Sequence, residues 1–257
     1  MFAKLFRSRP LAQAEPNGSI PDGQRIYAIG DIHGRLDLLQ DLLARIAADE
    51  TERAAADTQL IFLGDLIDRG PESAQTVEFV RQLALERPEG RTRFLAGNHE
   101  EVFLSSLEGD EKTLRFFTKI GGRETILSYG FTEAEYGALD YPELSAALQE
   151  RVPAEHRAFL ADFEDMIIIG DYAFVHAGIR PGEALSRQQG KDLRWIRSEF
   201  IEHKGALEKI IVHGHTITEA VEMTAHRIGL DTGAYASGRL TAMGFEGSQR
   251  WVIDTAD

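Results

Sequence analysis

The chemistry of this sequence is carried by five short polar clusters, each close behind an apolar run. "GDIHG" holds Asp31 and His33 after "RIYAI", "GDLIDRG" holds Asp65, Asp68 and Arg69 after "QLIFL", and "GNHE" holds Asn98 and His99 after "RTRFL". Further on, "YAFVHAG" brings His176, and "KIIVHGHT" brings His213 and His215. Any one cluster alone reads as a turn or a helix cap, because Gly, Asp and Asn form turns for reasons unrelated to chemistry. Gathered together, acids repel at close quarters unless something positive lies among them. Metal ions supply that charge. Oxygen and imidazole ligands without sulfur suit Mn, Fe, Zn, Ni or Co, and ligand type leaves the choice to geometry and availability. A carboxylate that bridges two ions about 3.5–4 Å apart lets both polarise one attacking water and one substrate oxygen.

The spacing says how the clusters meet. Asp31 to Asp65 is 34 positions and Asp65 to Asn98 is 33, each the length of one strand–helix–strand unit. The intervening segments fit: in "RLDLLQDLLARIAADE", Leu36, Leu39, Leu43 and Ile46 recur at helical spacing, and "SAQTVEFVRQLALE" turns Val77, Val80 and Ala84 to one face. Strand, helix, strand, helix, strand predicts parallel right-handed crossovers, with the clusters at neighbouring carboxyl ends where ligand crevices form. Glu101 to Asp165 reads as an inserted helical lobe. Strands resume at "DMIII", "YAFV" and "KIIV", and "AVEM", "RIGL", "GRLTAMGF" and "RWVID" read as an antiparallel run. The expected organisation is a flexible tail over 1–24 and one α/β domain over 25–257, with the helical insertion at about 101–165.

Composition narrows the partners. A formal charge of −14 from 28 Lys+Arg against 42 Asp+Glu opposes tight binding to a long nucleic acid. With no cysteine, thiolate metal sites and cysteine nucleophiles are excluded. No window approaches the roughly 20 apolar residues of a membrane span, and the basic start lacks the apolar core of a secretory signal. A cytoplasmic protein is the expectation.

In this order, "GDIHG", "GDLIDRG", "GNHE", "HAG" and "GHT" resemble the calcineurin-like metallophosphoesterases over about Arg25 to Asp257. More narrowly, they are similar to the phosphoprotein phosphatase branch in its bacterial and phage form. The resemblance implies a four-layer α/β sandwich, two mixed sheets flanked by helices, with two divalent metal ions at one edge and manganese the first choice. Carried across, Asp31 and His33 bind the first metal, Asp65 bridges, and Asn98, His176 and His215 bind the second. A metal-bridging hydroxide then attacks phosphorus in line, while Asp68 orients His99 as general acid toward the leaving oxygen. Arg69 offers a planar fork to phosphate oxygens, and Asn98 faces the phosphate without adding negative charge. Many relatives place an arginine before "GNHE", where this chain has Ala96; "DLRWIR" resembles a segment of bacterial and phage relatives whose final arginine contacts phosphate, which implies Arg197 as the second phosphate contact.

Small differences order the substrates. Position 217 is Ile, where many nucleases and cyclic-nucleotide phosphodiesterases of this fold carry a metal histidine. Asp68 and Glu100 depart from the pattern of symmetrical diadenosine tetraphosphate hydrolases. A phosphoprotein bearing phosphoserine or phosphothreonine is therefore the first expected substrate. Dinucleoside polyphosphates or another small phosphoester come second, and a metal-dependent binder without turnover third. His213 reads as a supporting or packing residue rather than a ligand, Tyr235 in "DTGAYASG" as part of a structural turn, though one that could overhang the metals, and His156, His203 and His226 as ordinary surface or core residues. Arg180 is left without a role.

Overall fold

Alternation along the strand β1 (Gln24–Ile29) sets the layering of the molecule. In the computed structural model, which describes residues 16–256, Tyr27 and Ile29 enter one core while Ile26 and Ala28 enter another. All four are fully buried, as a strand covered on both faces requires. On the first side lie α1 (Leu36–Thr51) and α2 (Ser73–Glu86), which bury Leu39, Leu42 and Ile46, and Val77 and Val80, respectively. On the second side lies another sheet.

β1 pairs in parallel with β2 (Asp57–Phe62), and β2 in parallel with β3 (Thr92–Phe94). This puts the first three clusters side by side. After β3 come six helices: α3 (Asn98–Ser106), α4 (Glu111–Phe117), α5 (Arg123–Ser128), α6 (Glu133–Ala138), α7 (Tyr141–Arg151) and α8 (Ala154–Ala161). Between β3 and the next strand, at Ile167, the chain thus forms helices alone. A five-residue π-type turn, Thr118–Gly122, joins α4 to α5 and breaks at Gly121, whose φ is 121°.

The second sheet begins with β4 (Ile167–Ile169) and β5 (Tyr172–Phe174). Two short helices follow, α9 (Gly190–Trp195) and α10 (Ser198–Ile201), and then β6 (Ile210–His213), β7 (Glu222–Met223) and β8 (Arg227–Gly229). The strand order is β4-β5-β6-β8-β7. A last short helix, α11 (Ala234–Ser237), leads to β9 (Thr241–Glu246) and β10 (Gln249–Asp254), which return to the first sheet in the order β10-β9-β1-β2-β3. Both sheets are mixed and helices cover their outer faces, as expected for four layers. Within the expected antiparallel run, β7 pairs antiparallel with β8 and β9 with β10, but the two pairs belong to different sheets, and β8 also runs parallel to β6. A short apolar run such as "RIGL" carries no mark of direction, which the loop from His215 to Ala220 decides.

Of the expected tail, residues 1–15 lie outside the described residues, and Pro16–Gly23 are corrected to a strap. Ser19 donates its N–H and hydroxyl to Asp171 Oδ2 at 2.9 and 3.2 Å, Ile20 N–H donates to the Gly247 carbonyl at 3.0 Å, and the Ile20 side chain is buried. The strap thus ties a turn of each sheet together. Among the described residues no helix is long and apolar enough to cross a membrane.

The two sheets meet at Phe245 of β9, which is fully buried and edge-on to Tyr172 (5.0 Å) and Phe174 (5.7 Å) of β5. Truncating a buried Phe costs about 3–5 kcal/mol. Phe245→Ala should therefore lower the unfolding free energy measured in urea by that amount, as a lower midpoint with an unchanged slope. A loss under about 1 kcal/mol would show that the sheets can close over the gap.

Candidate active site

The loops after β1 and β2 are zipped together through their backbones. Ile32 and His33 both donate their N–H to the Asp65 carbonyl (3.1 and 2.9 Å), and Gly34 N–H donates to the Leu66 carbonyl (2.8 Å). There is no room for a side chain between them: a Cβ on Gly70 would lie 2.1 Å from the His33 carbonyl, and one on Gly97 would lie 2.2 Å from Asp65 Oδ1. Such contact forces unusual backbone. Among the described residues five non-glycine positions have positive φ, namely His33, Asp65, Asp68, Arg69 and His215. All five are in this site, the kind of strain that surrounding structure must hold in place.

Asp65 is the centre. Its Oδ2 lies 3.4 Å from His176 Nε2, 3.7 Å from His33 Nε2 and 3.9 Å from His99 Nε2. Two triads of metal-capable atoms share it, His33–Asp65–His99 and Asp65–His176–His215. His33 and His176 each turn Nδ1 to a backbone carbonyl, of Ile67 and Leu63 respectively, both at 2.8 Å. Their Nε2 atoms are thereby aimed at the centre. Asn98 Oδ1 stands 3.1 Å from His176 Nε2. Asp31 falls outside both triads but is bound to the same cluster, its Oδ2 accepting the His215 N–H at 2.9 Å. The six residues expected to hold metal are thus brought together.

Electrostatics set the protonation of these groups. Burial pushes His33 down to about 3 and, helped by the positive charge of His176, His215 down to about 2, leaving both as neutral imidazoles. Burial also opposes a charged His176, yet the Asp65 carboxylate outweighs it and raises that group to about 10. Asp31 is pushed well above the usual carboxylate range by burial and by the neighbouring charge of Asp231, itself buried.

Asp68 and His99 meet as expected, with His99 Nδ1–H donating to Asp68 Oδ2 at 2.5 Å. Burial disfavours an imidazolium here, but the Asp65 charge and the Asp68 hydrogen bond raise His99 above its ordinary value. Arg69 sits deeper than its exposed sequence setting suggests: it donates to His33 Nε2 at 2.8 Å, and its guanidinium lies 3.0 Å from His99 Nε2. Arg197 is exposed and donates to the His215 carbonyl at 3.2 Å. It therefore stands at the rim, beside the second triad. Arg180 is elsewhere, paired with Asp192 and Glu199. His213 faces away from the triads, edge-on to Phe200, in the packing place expected of it.

Sequence reasoning missed Glu100 and misjudged Tyr235. Glu100 is buried and accepts three backbone N–H bonds, from Asp65 (2.9 Å), Leu66 (2.8 Å) and Gly97 (3.0 Å). Its place three residues past the N-cap Gly97 of α3 was the available signal. Tyr235, read as a turn residue, is corrected to a site residue: its ring stands edge-on to His33 at 5.4 Å, and the Arg69 guanidinium lies 4.8 Å from its centroid. Close approach of α11 to the loop after β1, invisible in sequence, carries it there.

The donor set fits divalent cations. Asp31 Oδ1 and His215 Nε2 are buried without a hydrogen-bond partner, a costly state for polar atoms that have no other use. Five carboxylates, Asp31, Asp65, Asp68, Glu100 and Asp231, are buried around this centre. The guanidinium of Arg69 stands in for a cation between His33 and His99. Apart from Arg69, the balance falls to protons held on His176 and Asp31, both raised, which bound divalent ions would displace.

The profile of the calcineurin-like phosphoesterase family matches residues 24–237, which span all five clusters. The chain belongs to this family. Among curated relatives, a protein of Bacillus mycoides named bis(5'-nucleosyl)-tetraphosphatase PrpE [asymmetrical] is 30% identical, over 84% of this chain and 88% of its own length. A protein of the same name from Oceanobacillus iheyensis is 26% identical, over 86% and 88%. Among solved structures, one described as a candidate diadenosine tetraphosphatase superposes with a TM-score of 0.62 at 21% identity, covering 91% of this chain and 95% of that one. A cold-active protein-tyrosine phosphatase of a psychrophilic Shewanella superposes at 0.53 and 18%, covering 91% and 83%. At those identities the two structures bear on the fold alone. Membership of the calcineurin-like phosphoesterases implies divalent metal ions, in keeping with the donor set.

Removing the Glu100 carboxylate orphans three buried N–H groups, each worth about 1–3 kcal/mol, in the backbone that carries Asp65. Glu100→Ala should cost at least about 3 kcal/mol in urea unfolding and weaken metal binding by about 10–100-fold, read by titration calorimetry. Unchanged metal affinity would show that the carboxylate does not position Asp65.

Proposed function

We propose that the protein is a metal-dependent hydrolase that cleaves dinucleoside polyphosphates off-centre, releasing a nucleoside monophosphate and a nucleoside triphosphate from a tetraphosphate. The observation that carries this reading is the likeness, over 84% of this chain and 88% of the relative, to proteins named asymmetrical bis(5'-nucleosyl)-tetraphosphatases. It reverses the order expected from sequence, which put phosphoserine and phosphothreonine first.

Asp31, His33 and Asp65 would hold one divalent ion, and Asp65, Asn98, His176 and His215 the other. Bound there, the ions supply Lewis acidity and lower the pKa of water toward neutrality. The chain's own residues do the rest. Arg69 and Arg197, with neutral Asn98, orient the phosphate oxygens. As the water oxygen bonds to phosphorus the bond to the leaving oxygen breaks, and His99, held by Asp68, gives that oxygen its proton. The acid contributes most when the leaving oxygen is strongly basic.

The rim suits a nucleoside. Phe116, Ile217 and Tyr235 are 43%, 47% and 37% exposed, and each lies near a residue of the cluster. Phe116 precedes the turn that receives Arg69 and packs against Trp195 (6.2 Å), Ile217 follows His215 by two residues, and Tyr235 covers His33. Stacking on such surfaces is worth about 1–3 kcal/mol per base.

A second reading, hydrolysis of alkyl phosphomonoesters such as phosphoserine, is favoured by one observation, the 2.5 Å Asp68–His99 contact. A nucleotide leaving group is weakly basic and needs such an acid less than an alkoxide does. Mn²⁺-loaded protein assayed side by side on diadenosine tetraphosphate and a phosphoserine peptide should show the higher kcat/KM for the former, with equimolar AMP and ATP. ADP as the product, or a faster phosphopeptide, would overturn the first reading. Tyr235→Ala should raise KM for diadenosine tetraphosphate about tenfold, the equivalent of about 1.4 kcal/mol of stacking, while Tyr235→Phe stays near wild type. An unchanged KM in the alanine variant would remove the nucleobase from this face of the rim.

A further inference from the structure

The Asp68–His99 pair does not end at Asp68. Thr125, on α5 of the helical insertion, is fully buried, and its hydroxyl donates to Asp68 Oδ1 at 2.6 Å. Thr125 Oγ1 in turn accepts the Asp68 N–H at 2.9 Å, and Ser73 Oγ accepts that N–H at an equal distance. The two hydroxyls lie 3.0 Å apart. One carboxylate oxygen of Asp68 is thus committed to Thr125 and the other to His99. Asp68 itself is held at φ 73°, a backbone state that a non-glycine residue keeps only when its surroundings fix it.

The same insertion supports the next residue. Arg69 N–H donates to the Gly121 carbonyl at 3.0 Å, and a Cβ on Gly121 would lie 2.6 Å from Arg69 Cγ. We infer that Thr125 is a positioning residue for catalysis: its hydroxyl fixes the rotation of the Asp68 carboxylate, and through it the direction in which His99 presents its proton. The helical insertion would then be part of the proton-delivery apparatus, although it contributes no group that touches the reacting phosphorus. This rests on the reading of the site as a phosphoester hydrolase and is independent of which ester is cleaved.

The test uses a series of phosphate esters whose leaving groups range from nitrophenolate to alkoxide. Thr125→Val is close in shape and lacks the hydroxyl. Its kcat should be near wild type for nitrophenyl phosphate and fall about tenfold for the alkyl ester, with KM and metal content unchanged. Thr125→Ser should restore the wild-type slope. If the valine variant does not fold, Thr125→Ser against Thr125→Ala gives the same comparison, because those two differ only in the hydroxyl. A uniform fall across the series, or no fall, would overturn the inference. The low-field Nδ1–H proton resonance of His99 in Zn²⁺-loaded protein reads the contact without turnover. It should shift in Thr125→Val and stay in Thr125→Ser, and an identical resonance in all three proteins would also overturn it. Failure of wild type on every ester would instead count against the hydrolase reading, leaving the resonance to decide the role of Thr125.

Discussion

A fully buried carboxylate with three imidazoles around one of its oxygens is the interaction on which the rest of this molecule depends. Asp65 is surrounded by His33, His99 and His176, and it lies within one loop of the strand that founds both cores. Burying a charge is expensive unless it is paired and hydrogen-bonded. Here the pairing groups come from three different strands of two sheets, so the site exists only when both sheets are closed on each other. That explains why the polar clusters stand at the ends of apolar runs: the runs build the inter-sheet core, and the clusters occupy the edge where the core stops.

Glu100 shows how such an edge is kept in shape. Its carboxylate gathers the N–H groups of Asp65, Leu66 and Gly97, tying the loop after β2 to the start of α3. Burial and the Asp65 charge push it up to about 7, a measure of how much negative charge is packed beside it. Of the five strained non-glycine residues, Asp65, Asp68 and Arg69 lie in this loop, His33 is hydrogen-bonded to it, and His215 is tied to Asp31 from the second sheet. Strain held by a lattice of backbone hydrogen bonds fixes side-chain direction more firmly than side-chain packing could, and a site that must present several lone pairs to one point needs that firmness.

Most of the frame and the ring of candidate ligands were legible because both follow local rules. Strand β1 is an apolar run of buried length, α1 and α2 repeat at helical spacing, and the 34- and 33-residue intervals place Asp31, Asp65 and Asn98 on adjacent parallel strands. What escaped was set by contacts between distant segments. Nothing in "RIGL" says that β8 runs parallel to β6, and Pro16–Gly23 carries only Ile20 as an apolar anchor, so its two sheet contacts left no pattern. Tyr235 reached His33 through the path of α11, and Thr125 lies in a helix 57 positions from Asp68. Residues that ligate have distinctive types, whereas residues that orient them are ordinary serines, threonines and glutamates.

Specificity follows the same division. The triads and the Asp68–His99 pair form a centre that suits phosphoesters in general, and nothing in their geometry refers to what lies beyond the phosphate. Choice among esters must therefore be made by groups that reach past it, a role that the proposed function gives to α4, to the loop after His215 and to α11. Two of these segments also touch the centre: the turn after α4 receives Arg69, and Tyr235 of α11 lies over Arg69 and His33. In the function proposed, a substrate body that presses on either surface would also press on the arginine assigned to its phosphate. Recognition at the rim and alignment at the centre would then be mechanically one event, a way to make a general phosphoesterase centre selective without changing a single ligand.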